Sequence, residues 1–230
     1  SILKLGYNNL GDEGVKTLAS GIAVHGSLSS LDLGFNNVGN EGCVALCSAL
    51  LSNRGTLHTL YLSGNAISEN GALAISDIIH KGCGLERLHL TGNVIGPEGV
   101  KVITEAIGAA HTIHSAFEVQ NLTNQDDNND MLNQSPTKDD IKKSITLHGV
   151  QELFLGGTGM GHDGCLAVAK MLEQTPTLRV LSLSNCGLCD DEIQLLGDSI
   201  KSNRDKIPLE ALQLSFNNIT CKGTESLMNA

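Results

Sequence analysis

Residues Leu28 to Val38 read LSSLDLGFNNV, and the same pattern returns at Leu57 to Ile67, LHTLYLSGNAI, and at Leu85 to Ile95, LERLHLTGNVI. The three stretches share one template, Leu-x-x-Leu-x-Leu-x-x-Asn-x-(Leu/Ile/Val). Self-similarity at a fixed spacing is the signature of a repeat architecture and outranks other sequence patterns. The sequence therefore predicts an array of similar units rather than one compact core.

The template recurs along most of the chain. Further copies begin near Leu3, Val150, Leu178 and Leu209, and the leucine at the fourth position is Leu3, Leu31, Leu60, Leu88, Leu153, Leu181 and Leu212. The steps between these leucines are nearly uniform, except that the step from Leu88 to Leu153 is more than twice as long as the others. Because a step of that length suits two units, the spacing predicts about eight repeats of roughly 28–29 residues each.

Each copy predicts a short strand, a turn and a helix. The template alternates buried and exposed positions as a strand does, and it is followed by a glycine pair such as Gly39 and Gly42 and then by apolar residues at helical spacing. Neither element can bury its apolar side alone, so neighbouring units must stack on one another. We expect the template leucines to be fully buried, including Leu60, Leu62, Leu88 and Leu90.

The pattern Leu31-x-Leu33-x-x-Asn36-x-Val38-Gly39-x-x-Gly42 and its copies resemble ribonuclease-inhibitor-like leucine-rich repeats. That family includes ribonuclease inhibitor, the Ran GTPase-activating proteins and the NOD-like receptors. The resemblance implies an α/β solenoid, a horseshoe with parallel strands on its concave side and helices outside. It also implies protein recognition, although this motif indicates the fold far better than the partner.

The whole chain, residues 1–230, is interpreted as one leucine-rich-repeat domain. Both ends interrupt a repeat, which favours a fragment of a longer array. The missing fifth strand is predicted within residues 112–123, in a register that buries Phe117 and Val119 because the alternative would bury Glu118. Residues 120–135 are acidic and rich in Asn, which predicts a flexible insertion in this degraded repeat.

Composition limits the classes of partner. The chain has 25 acidic and 15 basic residues and a formal net charge of -10, which argues against nucleic acid or an anionic membrane and favours a neutral or basic protein. Its seven cysteines are odd in number and scattered, as is usual in a reducing compartment. We therefore expect the cytoplasm, with the nucleus as an alternative.

No catalytic or metal-binding constellation is found. Cys186 and Cys189 have the spacing of zinc ligands, but no second pair follows, and Cys186 occupies the Asn position of the template, where a buried thiol is favoured. The glycine pairs recur from unit to unit, in four of them, and are therefore architectural. We expect no enzymatic activity, no catalytic residue, no metal, no cofactor and no small-molecule substrate.

The concave face is the predicted binding surface. Side chains alternate along a strand, so the third and fifth template positions face outward when the leucines face the core. Near the middle of the array these positions hold the six candidate partner-binding residues Tyr61, Arg87, His89, Glu118, Glu152 and Phe154. Exposed aromatic residues and arginine often anchor interfaces. The alternative is that the rings only pack on one another across strands.

The sequence thus favours a protein-interaction scaffold or sensor segment that binds through its concave face. Two alternatives stay open, a GTPase-activating protein of the Ran type and the ligand-sensing repeat region of a NOD-like immune receptor.

Overall fold

A computed structural model of the protein describes residues 1–52, 56–123 and 149–228, and in the helix that ends at Thr123 it describes side chains only as far as residue 110. The described residues form one parallel sheet whose strands follow one another in chain order. Its seven strands have three residues each: β1 Ile2–Lys4, β2 Ser30–Asp32, β3 Thr59–Tyr61, β4 Arg87–His89, β5 Glu152–Phe154, β6 Val180–Ser182 and β7 Ala211–Gln213.

A helix follows each strand, as parallel strands require a crossover connection. Each helix packs against the next helix along the chain, so strands and helices form two layers. The helices are α1 Gly11–Ile22, α2 Asn40–Ser52, α3 Glu69–His80, α4 Gly96–Thr123, α5 Gly161–Gln174, α6 Asp190–Ser202 and α7 Cys221–Met228. In the described part of the chain, no helix is long and apolar enough to cross a membrane.

The core lies between the two layers. The template leucines point into it, and Leu60, Leu62, Leu88 and Leu90 are completely buried, as the sequence predicts. Apolar residues of the helices, such as Ile75 in α3, close the core from the other side. Because each unit contributes one leucine layer, the predicted α/β leucine-rich-repeat solenoid is confirmed.

Buried asparagines hydrogen-bond neighbouring repeats to one another. The Oδ1 atom of Asn65 accepts the backbone N–H groups of Asn36 and Val38, both at 3.0 Å. Its Nδ2 atom donates to the carbonyl oxygens of Leu33 at 3.0 Å and Leu62 at 2.9 Å. One side chain thus satisfies four backbone groups that would otherwise be buried without partners.

The glycine pairs allow a polar side chain of one repeat to cap the helix of the next. Asp12 Oδ1 accepts the backbone N–H groups of Gly39 at 2.6 Å and Gly42 at 2.9 Å, at the beginning of α2. A methyl group on Gly42 would lie only 2.7 Å from that oxygen. Asn40 Oδ1 serves the beginning of α3 in the same way. The pairs are therefore architectural.

The predicted fifth strand is wrong. Helix α4 continues to Thr123, so Glu118 lies in a helix, and β4 pairs directly with β5 with Leu88 opposite Leu153. Residues 109–120 contain neither Gly nor Pro, whereas the other units place at least one such residue between helix and strand. The first residues of the predicted 120–135 insertion are helical, and residues 124–135 lie outside the described residues.

We expect Leu88→Ala to lower the free energy of unfolding by about 2 to 5 kcal/mol, because it removes a completely buried side chain and leaves a cavity. Urea unfolding followed by circular dichroism would measure the loss. Val94→Ala, at a side chain with 67% of its surface exposed, is the matched control and should change little. Equal effects of the two substitutions would contradict the repeat assignment.

We expect Asn65→Ala to cost roughly 1 to 3 kcal/mol or more, because it leaves buried N–H and C=O groups of two repeats without partners. Asn218→Ala removes an exposed amide whose bond to the Gly187 carbonyl is 3.5 Å long, and it should be nearly neutral. The same unfolding measurement compares the two. A neutral Asn65→Ala would mean that the asparagine bonds do not hold the repeats together.

Candidate functional site

Three rings form a continuous column across the middle of the concave face. The parallel register places Tyr61, His89 and Phe154 side by side on β3, β4 and β5. The ring centroids of Tyr61 and His89 lie 4.1 Å apart, those of His89 and Phe154 lie 4.0 Å apart, and the planes deviate by 24° and 11°. All three side chains are half-buried. We call this set the aromatic column.

An ion pair lies beside the aromatic column on the third template position. Arg87 Nε donates to Glu152 Oε1 at 2.9 Å, and Arg87 Nη1 lies 3.5 Å from Thr59 Oγ1. A second carboxylate oxygen, on Glu86, lies 3.9 Å from the same Nη1 atom. The arginine therefore bridges β3, β4 and β5, and its guanidinium is held in one orientation beside the rings.

The structure brings together five of the six predicted site residues. Tyr61, His89 and Phe154 form the aromatic column, and Arg87 and Glu152 form the adjoining ion pair. Glu118 is the exception, since it lies in α4 and not on a concave strand. With no strand between β4 and β5, His89 contacts Phe154 directly and no carboxylate separates the two rings.

Burial determines the charge state of the column. Removal of the His89 ring from water lowers its pKa below the ordinary 6.5, an effect that Glu152 and Asp32 oppose and the positive charge of Arg87 reinforces. Its Nε2 atom is buried and has no hydrogen-bond partner. His89 is therefore neutral near pH 7, and the column presents an uncharged surface.

Small residues leave space next to the column. The seventh template position carries no large side chain in any described repeat: Gly6, Gly34, Ser63, Thr91, Gly156, Ser184 and Ser215. At Gly156 a methyl group would lie 2.7 Å from the carbonyl oxygen of Ser184, so a larger residue would collide with the backbone just after β6. This row therefore adds no bulky side chain beside the rings.

Two further aromatic residues escaped the sequence-based prediction. Tyr7 and Phe35 follow the small seventh position in the first two repeats, and their rings stack at 4.5 Å with an interplanar angle of 9°. The template does not specify a residue type at this eighth position, so the sequence-based prediction did not include Tyr7 and Phe35. The residue type could have identified them, because the next three repeats carry glycine at this position, as Gly64, Gly92 and Gly157.

The cysteines do not converge on a metal-binding geometry in the part of the chain that the structure describes. Cys186 is buried at the Asn position, with its Sγ atom 3.4 Å from the carbonyl oxygen of Leu155, whereas Cys189 is exposed just before α6. No group of three or more His, Cys, Asp or Glu side chains there is placed to hold a metal ion. Burial raises the pKa of Cys165 to about 12, as expected for an inert core thiol.

Comparison with known families agrees with the repeat geometry. Five segments match the family model described as "Leucine Rich repeat": 1–19, 27–47, 56–76, 84–103 and 206–228. These segments contain β1 to β4 and β7, each followed by Asn at the ninth template position. The repeats of β5 and β6, in which Thr158 and Cys186 replace that Asn, fall outside the matched ranges.

A curated relative is the NACHT, LRR and PYD domains-containing protein 4B of Mus musculus, which is 31% identical over 87 residues. The match covers 37% of this chain and 10% of the mouse protein, so the matched part of the chain spans only about a tenth of that relative. The repeated geometry and these matches define a leucine-rich-repeat solenoid. Its repeats resemble those of NOD-like receptors.

The lowered pKa of His89 predicts a pH-dependent stability. Because the unfolded chain binds a proton at a higher pH than folded His89 does, the stability that this group contributes is complete above about pH 6.5 and falls as the pH drops toward the lowered pKa. His89→Phe keeps a stacked ring without a titrating group. We expect its stability to decline less than that of the wild type between about pH 7.5 and pH 5.

Urea unfolding at several pH values would compare the two proteins. The other seven histidines are present in both, so the difference between the two pH profiles isolates His89. Parallel profiles would contradict the inferred burial of the neutral ring.

Proposed function

We propose that this protein binds a protein partner through the concave face and that the aromatic column is the anchor. The observation that carries the proposal is the stacking of Tyr61, His89 and Phe154 at the centre of the face, half-exposed and next to the Arg87–Glu152 ion pair. Aromatic side chains combine a large contact area with few rotatable bonds, and they are enriched among the residues that dominate binding energy.

Stacking prepares the column for binding. Rings that already contact one another lose little conformational freedom when a partner covers them, so more of the contact energy contributes to affinity. The same packing would be expected of a purely structural cluster, and the partial exposure of all three rings favours the binding role. The small seventh-position residues beside the column support it further, because they leave the ring edges accessible.

The charge distribution supports a neutral or basic partner. The chain carries a formal net charge of -10, while the column itself is uncharged when His89 is neutral. Long-range attraction would speed the approach of a basic protein, and the apolar column would hold it after contact. Nucleic acid and anionic membranes are disfavoured as partners by the same charge.

Within this proposal the chain is a non-catalytic interaction or sensing module, acting in the cytoplasm or alternatively in the nucleus. The mouse relative, whose name contains NACHT, LRR and PYD domains, favours the sensing repeat region of a NOD-like receptor as the specific context. The match covers only a tenth of the mouse protein. That this chain belongs to a longer array, or to a protein with further domains, is therefore part of the proposal. A Ran-type GTPase-activating role stays an untested alternative.

We expect Tyr61→Ala and Phe154→Ala each to weaken partner binding by roughly 2 kcal/mol, as the loss of an anchor does. Each also breaks a ring stack worth about 0.5 to 1.5 kcal/mol, so a modest loss of stability is expected. Tyr61→Phe keeps the stacked ring and should retain most of the affinity. Lys170→Ala, at an exposed residue of α5, is the control for the opposite face.

Affinity capture with the wild type and with the Tyr61→Ala/Phe154→Ala double variant would identify partners whose capture requires the column. Isothermal titration of a purified partner with the single variants then measures the change in binding energy. Unchanged affinity in both alanine variants would move the interface away from the column.

A further inference from the structure

The eighth template position adopts a left-handed backbone in every described repeat. The φ angles there are 66°, 71° and 63° at the glycines of β3 to β5 and 57° at Asn185 after β6. Three other repeats place an aromatic residue in the same conformation: Tyr7 at 59°, Phe35 at 56° and Phe216 at 60°. Glycine adopts this conformation freely, whereas bulky residues rarely do.

An aromatic residue at this position is therefore costly. A non-glycine residue held in a sparsely populated backbone region is strained, and such residues cluster at functional sites. The single stack of Tyr7 on Phe35 is shared by two strained residues, and one such stack does not offset the strain of both. Phe216 adopts the same conformation with 87% of its surface exposed and no ring contact among the described residues. Stacking alone thus does not account for aromatics here.

Tyr7 and Phe35 expose 79% and 48% of their surface and lie beside a carboxylate. Asp32 Oδ1 accepts the backbone N–H of Gly34 at 2.9 Å, and methyl groups on Gly6 and Gly34 would lie 3.1 and 3.3 Å from the same oxygen. These two glycines directly precede the two aromatic residues in the chain. The carboxylate therefore lies next to the backbone segments that carry the rings.

Asp32 has no cationic partner within 4.0 Å among the residues that the structure describes. Lys4 is its neighbour in the sheet register but forms no ion pair with it. Two exposed rings and an uncompensated carboxylate thus share one edge of the concave face. We call Tyr7, Phe35 and Asp32 the edge patch.

We propose that the edge patch binds an arginine side chain of a protein partner. A guanidinium is planar, stacks on aromatic faces and donates paired N–H groups to a carboxylate, so one side chain can use both features of the patch. A lysine ammonium could pair with Asp32 but offers no plane to stack on Tyr7. The negative net charge of the chain favours a cationic group. The edge patch adjoins the aromatic column, since Asp32 lies opposite Tyr61 in the sheet register, but the two sets share no residue. The test with a small probe therefore does not depend on the function proposed above.

The test is an NMR titration of the ¹⁵N-labelled protein with N-acetylarginine amide. N-acetylcitrulline amide, which has nearly the same shape without the charge, is the matched probe. We expect arginine to shift the amide resonances of Gly6, Tyr7, Gly34 and Phe35 in a saturable manner, and citrulline to shift them far less.

Two variants remove the two features of the patch separately. Asp32→Asn keeps an acceptor for the Gly34 N–H but loses the charge. Phe35→Asn reproduces the residue that the sixth repeat carries in the same conformation, so folding should be retained and backbone strain relieved. Each variant should weaken arginine binding by about threefold or more. Melting temperatures, expected to be unchanged or higher for Phe35→Asn, verify that both variants fold.

Phe216→Asn is the matched control, because it makes the same substitution in a repeat that carries Gln213 where the second repeat carries Asp32. It should leave arginine binding unchanged. Equal shifts by arginine and citrulline, or undiminished binding by Asp32→Asn, would overturn the proposal. The probe requires no natural partner, so failure here and failure of the aromatic column as an anchor are separate results.

Discussion

The hydrogen bonds of the buried asparagines are the constraint on which the other features depend. Asn65 closes the turn of its own repeat through the Leu62 carbonyl and fixes the turn of the preceding repeat through the N–H groups of Asn36 and Val38. Asn217 does the same for the repeat of β6. The residue just before the ninth template position is left-handed in every described repeat, including those of β5 and β6, in which Thr158 and Cys186 replace the asparagine. The position of the rings in the edge patch follows from this turn.

Much of this arrangement could be predicted from sequence because each template position has the same environment in every repeat. Alternation along a strand assigns inward and outward positions without a structure, and it placed Tyr61, His89 and Phe154 in one outward-facing row, with Glu118 between the last two. It failed at Glu118 because repeat arithmetic assumes that every unit length of chain brings a strand. Helix α4 continues instead, since nothing in residues 109–120 ends it. The absence of Gly and Pro from residues 109–120 predicted the continued helix better than the number of residues per repeat predicted a strand.

What the sequence could not give depends on groups that meet only in space. The template places Arg87 and Glu152 on one face, but their 2.9 Å contact and the link to Thr59 depend on rotamers set by three strands together. Likewise the lowered pKa of His89 follows from burial between two rings, each supplied by another repeat. The edge patch was missed for a related reason. An aromatic residue at the eighth position is recognised as strained only when the left-handed backbone conformation of that position is known.

The aromatic column shows that the strands on either side of the longest unit pair as closely as the others. Phe154 comes from β5, whose repeat lacks the Asn and lies outside the family matches, yet its ring stacks on His89 at 4.0 Å, as closely as His89 stacks on Tyr61. The extra chain between β4 and β5 therefore leaves the strand spacing unchanged. Each repeat contacts only its neighbours, and loop closure costs rise slowly with length, so a connection can lengthen outside the sheet at little cost to the sheet itself. The concave surface is insulated from changes in the connections, and its outward-facing residues can diversify without disturbing the leucine layers beneath them.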